Sequence, residues 1–459
     1  MPVRDKSLDA LRGMAILAMV LSGSIAFGIL PAWMYHAQTP PPAHSFQPSL
    51  AGITWVDLVF PFFLFSMGAA IPLALKKKVA QSAHSGIIVV TAFRRFVALV
   101  SFALFTMHAR SLSAEQLSLP LVCLLQMLAF LLLFAQLYRW PSGSQVPPAI
   151  AYGIAILMLA FLPFKGGAFS LQHSDIIIVV LANMALFGTL LWWYTRRQPG
   201  LRSLLLLFVM AVFLAKDTSS WNKIVYNWSP LPWAYRFYYL KYLFIIVPGT
   251  IAGDWLLQYA NTPAVQEKQT KNWLPLTVLA CSCLLVANVI LLFSRQTGLN
   301  MIITTVILAV LLVYTQRARA AEAYPLLVRF LEAGALLLLL GLCWEACEGG
   351  IKKDPSTWSY YFVSSGLAFF MMIILAALQA TAIGGKLVNY LAENGRNPMV
   401  AYITGNLLLL PLLRLTNGMV AYKWMLQQPL TGVLAGFIFT GIVSMVTVFF
   451  VRRGWLWKT

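Results

Sequence analysis

Apolar stretches of about 18–20 residues recur along almost the whole chain, and no other feature narrows so far what it can fold into. Each is long enough to cross ~30 Å of hydrocarbon as a helix. Of the 459 residues, 60% are hydrophobic and only 10% are charged, where a soluble domain carries about 25% charged residues. The strict polar–apolar alternation of a membrane β-barrel is missing from these stretches. The expected fold class is therefore all-α: a polytopic integral membrane helical bundle, read as a single transmembrane domain over 1–459. About fourteen spans follow, from 8–31 and 53–75 at the start to 397–415 and 429–451 at the end. Those near 147–163, 202–215 and 298–315 are short.

An even number of spans puts both termini on one side, and charge says which. The net charge of +19 comes from 33 Lys and Arg against 14 Asp and Glu. Most of these bases stand in short loops between apolar runs, as topogenic signals do. With a cytoplasmic N-terminus the inner set holds Lys76, Lys77, Lys78, Arg94, Arg95, Arg196, Arg197, Arg202, Arg317, Arg319, Arg452 and Arg453, about 22 of the 33 bases in all. No basic face with interleaved aromatics points to nucleic acid. The first segment, with Arg4 and Lys6 ahead of an apolar run, could pass for a secretory signal. Its cleavage would discard Asp9 and Arg12, so it is expected to be retained. The five cysteines (Cys123, Cys281, Cys283, Cys343, Cys347) fall in or beside apolar segments without a His or acidic partner set. They read as small buried apolar residues rather than as a metal site.

Chemistry concentrates in the loop that follows the first segment, expected outside. Two of the five histidines, His36 and His44, lie in it, and Asp57 follows at the head of an otherwise apolar helix. A helix N-terminus favours the carboxylate, and a carboxylate favours the cationic form of a nearby imidazole. A His–carboxylate pair at a membrane surface can serve as general base or acyl acceptor. On the inner side Asp9 and Arg12 share a helical face. Arg94, Arg95 and Arg396 border apolar helices, where they could hold the phosphates of an anionic cytosolic cofactor. Acids at membrane depth are few and costly: Asp254, Glu332, Glu345 and Glu348. Glu345 and Glu348 are expected near the outer face, where they could meet an amine.

The segments S-L-D-A-L-R-G (Ser7 to Gly13) and H…G-I-T-W-V-D-L-V-F-P-F-F-L-F-S-M-G (His44 to Gly68) resemble those of the transmembrane acetyltransferases related to heparan-α-glucosaminide N-acetyltransferase. Arg94–Phe96 (R-R-F), Val247–Asp254 (V-P-G-T-I-A-G-D), Lys352–Phe362 (K-K-D-P-S-T-W-S-Y-Y-F) and Asn394–Tyr402 (N-G-R-N-P-M-V-A-Y) extend the likeness. The membrane O-acyltransferases of surface polysaccharides share a D-x-L-R-G-like start, but their histidine ten residues after the Arg is Ser22 here.

The resemblance implies transfer of an acetyl group from cytosolic acetyl-CoA to an amine, or a hydroxyl, on an extracytoplasmic sugar or glycan, without a metal. Placement in a bacterial cytoplasmic membrane is expected, and a homodimer is compatible with it. The family's active histidine lies in the first outside loop. By spacing to Asp57, His44 fits it best, and His36 in W-M-Y-H-A is the second candidate, with Asp57 orienting the imidazole. Arg12, Arg94, Arg95, Arg396 and its neighbour Asn397 are the expected cofactor-binding set. Trp33, Trp55, Trp228 and Trp233 could stack on sugars or anchor at the interface. A rival from another class is a secondary transporter or flippase coupled through acids such as Asp254 and Glu345.

Overall fold

A computed structural model describes residues 6–81, 84–138, 140, 143–218, 221–259, 273–318 and 320–457. Arg4, Arg319 and most of the loop expected on the inner side near 259–272 lie outside the described residues. The chain is all-α. Its longer helices are α1 (Ser7–Ser22), α2 (Trp55–Ala80), α3 (Ser85–Arg110), α4 (Leu119–Leu137), α5 (Val146–Phe161), α6 (Ile176–Thr195) and α7 (Pro199–Leu214). They continue with α8 (Leu243–Tyr259), α9 (Trp273–Phe293), α10 (Thr297–Arg317), α11 (Pro325–Cys347), α12 (Trp358–Gln379) and α13 (Ala382–Arg396). Last come α14 (Pro398–Leu415, with a π turn at Gly405–Leu409) and α15 (Pro429–Arg452).

Among the described residues 11 helices are long and apolar enough to cross a membrane. The other three expected segments are also helical but shorter: α1, α5 and α7 have 16 residues each, about 24 Å at 1.5 Å per residue. The segment near 298–315, short by its apolar run, is a 21-residue helix. Of the longer helices, one escaped the apolar-run reading altogether. α13 mixes Lys386, Glu393 and Arg396 with apolar positions, and it leaves Ile383, Leu387 and Tyr390 exposed four and three residues apart, on one face.

The fold divides into two compact units. The first comprises Met1–Ser22, Phe27–Lys77 and Phe244–Gly395. Its innermost helices are α2 and α12, and its most exposed are α9 and α10: 83% of the α2 span is buried against 22% for α10. The bare faces of α9 and α10 carry Leu279, Val286, Ile290, Val306 and Val310. That arrangement suits lipid as the surrounding solvent. Between them the two helices share a buried polar ladder: Asn300 donates to Asn288 Oδ1 at 3.0 Å, and Asn288 donates to Thr304 Oγ1 at 3.1 Å. Such interhelical bonds hold membrane helices together where the hydrophobic effect gives no drive.

Close backbone approach explains two of the motifs. Gly249 and Gly253 on α8, spaced as in G-x-x-x-G, lie against the α2 backbone, where a Cβ would meet the Phe65 and Ala69 carbonyls. Gly13 and Gly395 do the same where α1 meets α13, each facing the other helix's carbonyls.

Prolines inside α2 and α8 leave helix carbonyls without their usual partner, because Pro has no N–H to give to the residue four before it. Pro61 frees the Asp57 carbonyl and Pro248 frees that of Phe244. Both are met by hydroxyls of α12: Tyr360 donates to the Asp57 carbonyl at 2.7 Å, and Ser365 donates to that of Phe244 at 3.3 Å.

The second unit comprises Gly23–Ala26, Lys78–Leu243 and Arg396–Thr459. Asp175 caps the start of α6 by accepting from Ile177 N, and the same carboxylate meets Arg110 at 3.3 Å and Tyr402 Oη at 2.6 Å. His108 uses both ring nitrogens, Nδ1 on the Leu104 carbonyl at 2.8 Å and Nε2 as acceptor from Ser170 N at 3.2 Å. Of the cysteines, Cys123 and Cys281 are buried as expected, whereas Cys283, Cys343 and Cys347 are exposed. A thiol facing lipid is as well placed as one facing protein, so an apolar run does not tell the two apart.

Candidate active site

Asp57 is the third residue of α2 and is 1% exposed. A capping-box arrangement fixes its carboxylate: T-W-V-D sets an acid three residues after Thr54, and Oδ2 reaches back to accept from Thr54 N at 3.0 Å. The same oxygen accepts from Ala37 N at 3.1 Å and from Thr54 Oγ1 at 3.3 Å. Thr54 Oγ1 also donates to the Tyr35 carbonyl at 2.6 Å, tying the loop to the helix start. One oxygen is thereby filled by the loop, and the other, Oδ1, is left for side chains.

His36 takes that place. Its Nδ1 lies 2.7 Å from Asp57 Oδ1. Against a carboxylate, which only accepts, Nδ1 must carry the proton; Nε2 then bears the free lone pair in the neutral ring. With Asp57 sealed and the His36 side chain 42% exposed, the imidazole is anchored at Nδ1 while its ring still reaches the surface. This is the orientation that a nucleophile or general base needs.

Lys353 completes the cluster from the loop between α11 and α12. Its Nζ lies 3.1 Å from His36 Nδ1, 3.4 Å from Nε2 and 3.9 Å from Asp57 Oδ1. Two reciprocal pairs hold that loop. The Gln38 amide donates to the Asp354 carbonyl and accepts from Asp354 N at 2.8 Å. Lys352 N donates to Thr357 Oγ1 at 2.9 Å, and Thr357 N returns a bond to the Lys352 carbonyl at 3.1 Å. Burial pulls the Lys353 ammonium below the ordinary lysine value, and Asp57 and Asp354 pull against that shift.

His44 is elsewhere in the same loop. Its backbone is left-handed (φ 48°), and its N–H bonds the Pro40 carbonyl at 3.0 Å. The ring stacks on Phe27 with centroids 3.8 Å apart and stands edge-on to Tyr35 at 4.5 Å. Its Nε2 is buried without a hydrogen bond. The pairing expected of Asp57 with His44 is thus made with His36 instead. Spacing along the chain misleads here, because a turn and an aromatic contact intervene.

The expected cofactor-binding residues divide between the two units. In the first unit Arg12 is spent on backbone: it donates to the Gly395 carbonyl at 3.3 Å and the Ser66 carbonyl at 3.2 Å, with Asp9 3.5 Å away. It therefore serves the carbonyls that end α13 and joins three helices. In the second unit Arg94 and Arg396 are exposed and Arg95 is half-buried. Asn397 is buried with its amide engaged at both ends, donating to the Trp455 carbonyl at 2.9 Å and accepting from Trp457 N at 3.4 Å. Arg94, Arg95 and Arg396 keep the exposure that a phosphate ligand requires; Asn397 does not.

The acids expected to meet an amine have protein partners. Glu345, 4% exposed, pairs with Arg295 at 2.5 Å. Glu348 accepts from Trp358 N at 2.7 Å and Ser359 N at 2.8 Å, capping the start of α12. Trp33 and Trp228 are exposed, and Trp55 and Trp233 are half-buried. Lys353 and Tyr360 were not among the residues singled out, although both stand in K-K-D-P-S-T-W-S-Y-Y-F. The Asp57-to-Pro61 spacing was the available signal that a donor such as Tyr360 was needed.

Comparison with curated proteins finds none that matches the chain. The family described as a domain of unknown function, DUF5009, matches over residues 4–256, more than half of the chain and including His36, His44 and Asp57, and the chain belongs to that family.

Proposed function

We propose that the protein transfers an acetyl group from cytosolic acetyl-CoA to an amine, or a hydroxyl, of an extracytoplasmic sugar or glycan, with His36 as the reacting histidine. The observation that carries this reading is the His36–Asp57 pair: a sealed carboxylate fixing Nδ1 of an imidazole whose side chain stays open. The sequence likeness to the heparan-type transmembrane acetyltransferases supports the same chemistry. In this reading the whole chain, 1–459, is one acetyltransferase domain of about fourteen spans in a bacterial cytoplasmic membrane, as monomer or homodimer. Both termini are cytoplasmic by the Lys and Arg bias. Arg94, Arg95 and Arg396 bind the phosphates of CoA, and Arg12 and Asn397 act by holding helices.

Nε2 of His36 attacks the thioester carbon, the carbon–sulfur bond breaks and CoA leaves as its thiolate, and the acetyl group then passes from Nε2 to the acceptor. Asp57 holds the ring in the productive tautomer and stabilises positive charge on it during transfer. His44 builds the loop through its ring contacts and takes no part in the chemistry.

The test is acetyl transfer from radiolabelled acetyl-CoA to amino-sugar acceptors by purified protein, with release of free CoA followed in parallel. His36→Ala is expected to abolish both while acetyl-CoA binding persists, and His44→Ala to retain substantial activity. Activity retained in His36→Ala would remove the histidine from the mechanism. A folded wild type that does not bind acetyl-CoA would favour a transporter instead.

A further inference from the structure

Asp57 holds the His36 ring at Nδ1, 2.7 Å away, and attack on an acyl carbon needs the lone pair on Nε2 free of a proton. A cation held against the ring would disfavour a second proton there. Among the described residues, the charged and titratable groups around the ring are few. Asp57 comes from α2, and Lys353 and Asp354 from the loop before α12. Tyr360 on α12 has its phenol spent on the Asp57 carbonyl. His44 is stacked on Phe27. Of these only Lys353 brings a cation to the ring.

Its position fits that task better than a structural one. At 3.1 and 3.4 Å from the two ring nitrogens, Nζ is within hydrogen-bond reach of both. It is not needed to close the loop, which the Gln38–Asp354 and Lys352–Thr357 pairs already hold. A proton on His36 would put two cations in contact, whereas a neutral ring leaves one ammonium balanced by the Asp57 carboxylate.

We propose that Lys353 is a further catalytic residue, whose ammonium against the His36 ring keeps that imidazole unprotonated for attack and makes its acetyl adduct a ready donor. The adduct, an acetyl-imidazolium, carries positive charge beside the same ammonium and is raised in energy by it. When the acceptor amine bonds to the acetyl carbon and the carbon–Nε2 bond breaks, the electron pair returns to Nε2, the amine gives up a proton to solvent, and that repulsion is relieved. This role rests on the acetyl-transfer reading, but its electrostatic part can be measured without acetyl-CoA.

The experiment is modification of His36 by diethylpyrocarbonate, which attacks only unprotonated imidazole, read by peptide mass across pH 5 to 8. His84, exposed and far along the chain, is the internal reference. Lys353→Met is expected to move the midpoint of His36 modification up by about one pH unit, so that at the wild-type midpoint the reaction is about fivefold slower. Lys353→Arg keeps the cation and should keep the wild-type midpoint. Asp57→Asn should move it the other way, a pattern of signs that unfolding cannot produce. In the transfer assay the acid limb of the rate profile should shift with Lys353→Met and not with Lys353→Arg. Equal midpoints in wild type and Lys353→Met would overturn the proposal, as would resistance of wild-type His36 to the reagent at every pH. A shifted midpoint in a protein that transfers no acetyl would leave the charge arrangement standing and remove the acetyl-transfer reading alone.

Discussion

The bond from Tyr360 to the Asp57 carbonyl allows a sharp test of how the site is held. Pro61 denies that carbonyl its helical N–H, and Tyr360 and Asp57 are each 1% exposed, so no solvent can replace the phenol. Tyr360→Phe leaves a buried carbonyl unpaired, which costs about 1–3 kcal/mol by soluble-protein measure. Interhelical bonds in a membrane protein average nearer 0.6 kcal/mol, with a maximum of about 1.7. The seclusion of this carbonyl argues for the upper part of that second range, about 1.5 kcal/mol.

The decisive variant is Pro61→Ala, which returns an N–H to the position four residues after Asp57. In that background the carbonyl has a helical partner, and Tyr360→Phe should cost less than about 0.5 kcal/mol. The coupling in the double-mutant cycle is then about 1 kcal/mol, measured by reversible denaturant unfolding in mixed micelles. Equal cost of Tyr360→Phe in both backgrounds would refute the reasoning, because the phenol would then be stabilising something other than the proline-freed carbonyl.

Three other outcomes follow from the same structure. Glu345→Ala should destabilise by about 1–2 kcal/mol, less than a fully buried pair because Arg295 is 38% exposed, whereas Glu332→Ala, from a pair exposed on both sides, should cost under about 0.5 kcal/mol; unfolding titrations compare the two directly. Gly395→Ala should cost about 3 kcal/mol or prevent folding, since its Cβ would enter the Asp9 carbonyl on α1 and backbone cannot yield as a side chain can; yield and melting of the purified protein check this. Burial depresses Lys353 in the folded state, so between that lowered value and the ordinary lysine range the unfolded chain binds more protons and stability rises with pH; Lys353→Met should lack that rise when unfolding is measured as pH is raised towards the ordinary lysine range.

The spans were legible because a helix crossing lipid must be apolar along its whole length, and a run such as Leu119–Leu137 declares itself. What an apolar run cannot say is which of its faces meets protein. α2 and α10 look alike in hydropathy, yet one is a core helix and the other borders the surrounding medium. α13 was missed for the opposite reason: a helix apolar on one face only does not register as a run. In the site, Asp57 was legible as a lone acid at the head of an apolar helix, and both loop histidines were in view. The partner was not, because the choice between His36 and His44 is made by Thr54, Ala37 and the aromatic seat of His44 rather than by distance along the chain. For Arg12 the carbonyl partners were likewise out of view, since a basic residue at a helix crossing can serve carbonyls as readily as phosphates.

The two segments that meet at the site explain each other. In D-L-V-F-P the acid and the proline are four apart, so the residue that supplies the carboxylate is also the one whose carbonyl goes unpaired. In K-K-D-P-S-T-W-S-Y-Y-F, Lys353 meets the carboxylate side of that residue and Tyr360 its carbonyl, while Asp354 clasps Gln38, two residues beyond His36. A shift of α12 relative to α2 would therefore disturb the charge beside His36 and the backbone of Asp57 together. Rigidity of that kind is what a reacting imidazole requires, since misplacement by about 1 Å can cost roughly a hundredfold in rate. Pro61, a defect if α2 is considered alone, is the feature that ties the acid's backbone to α12.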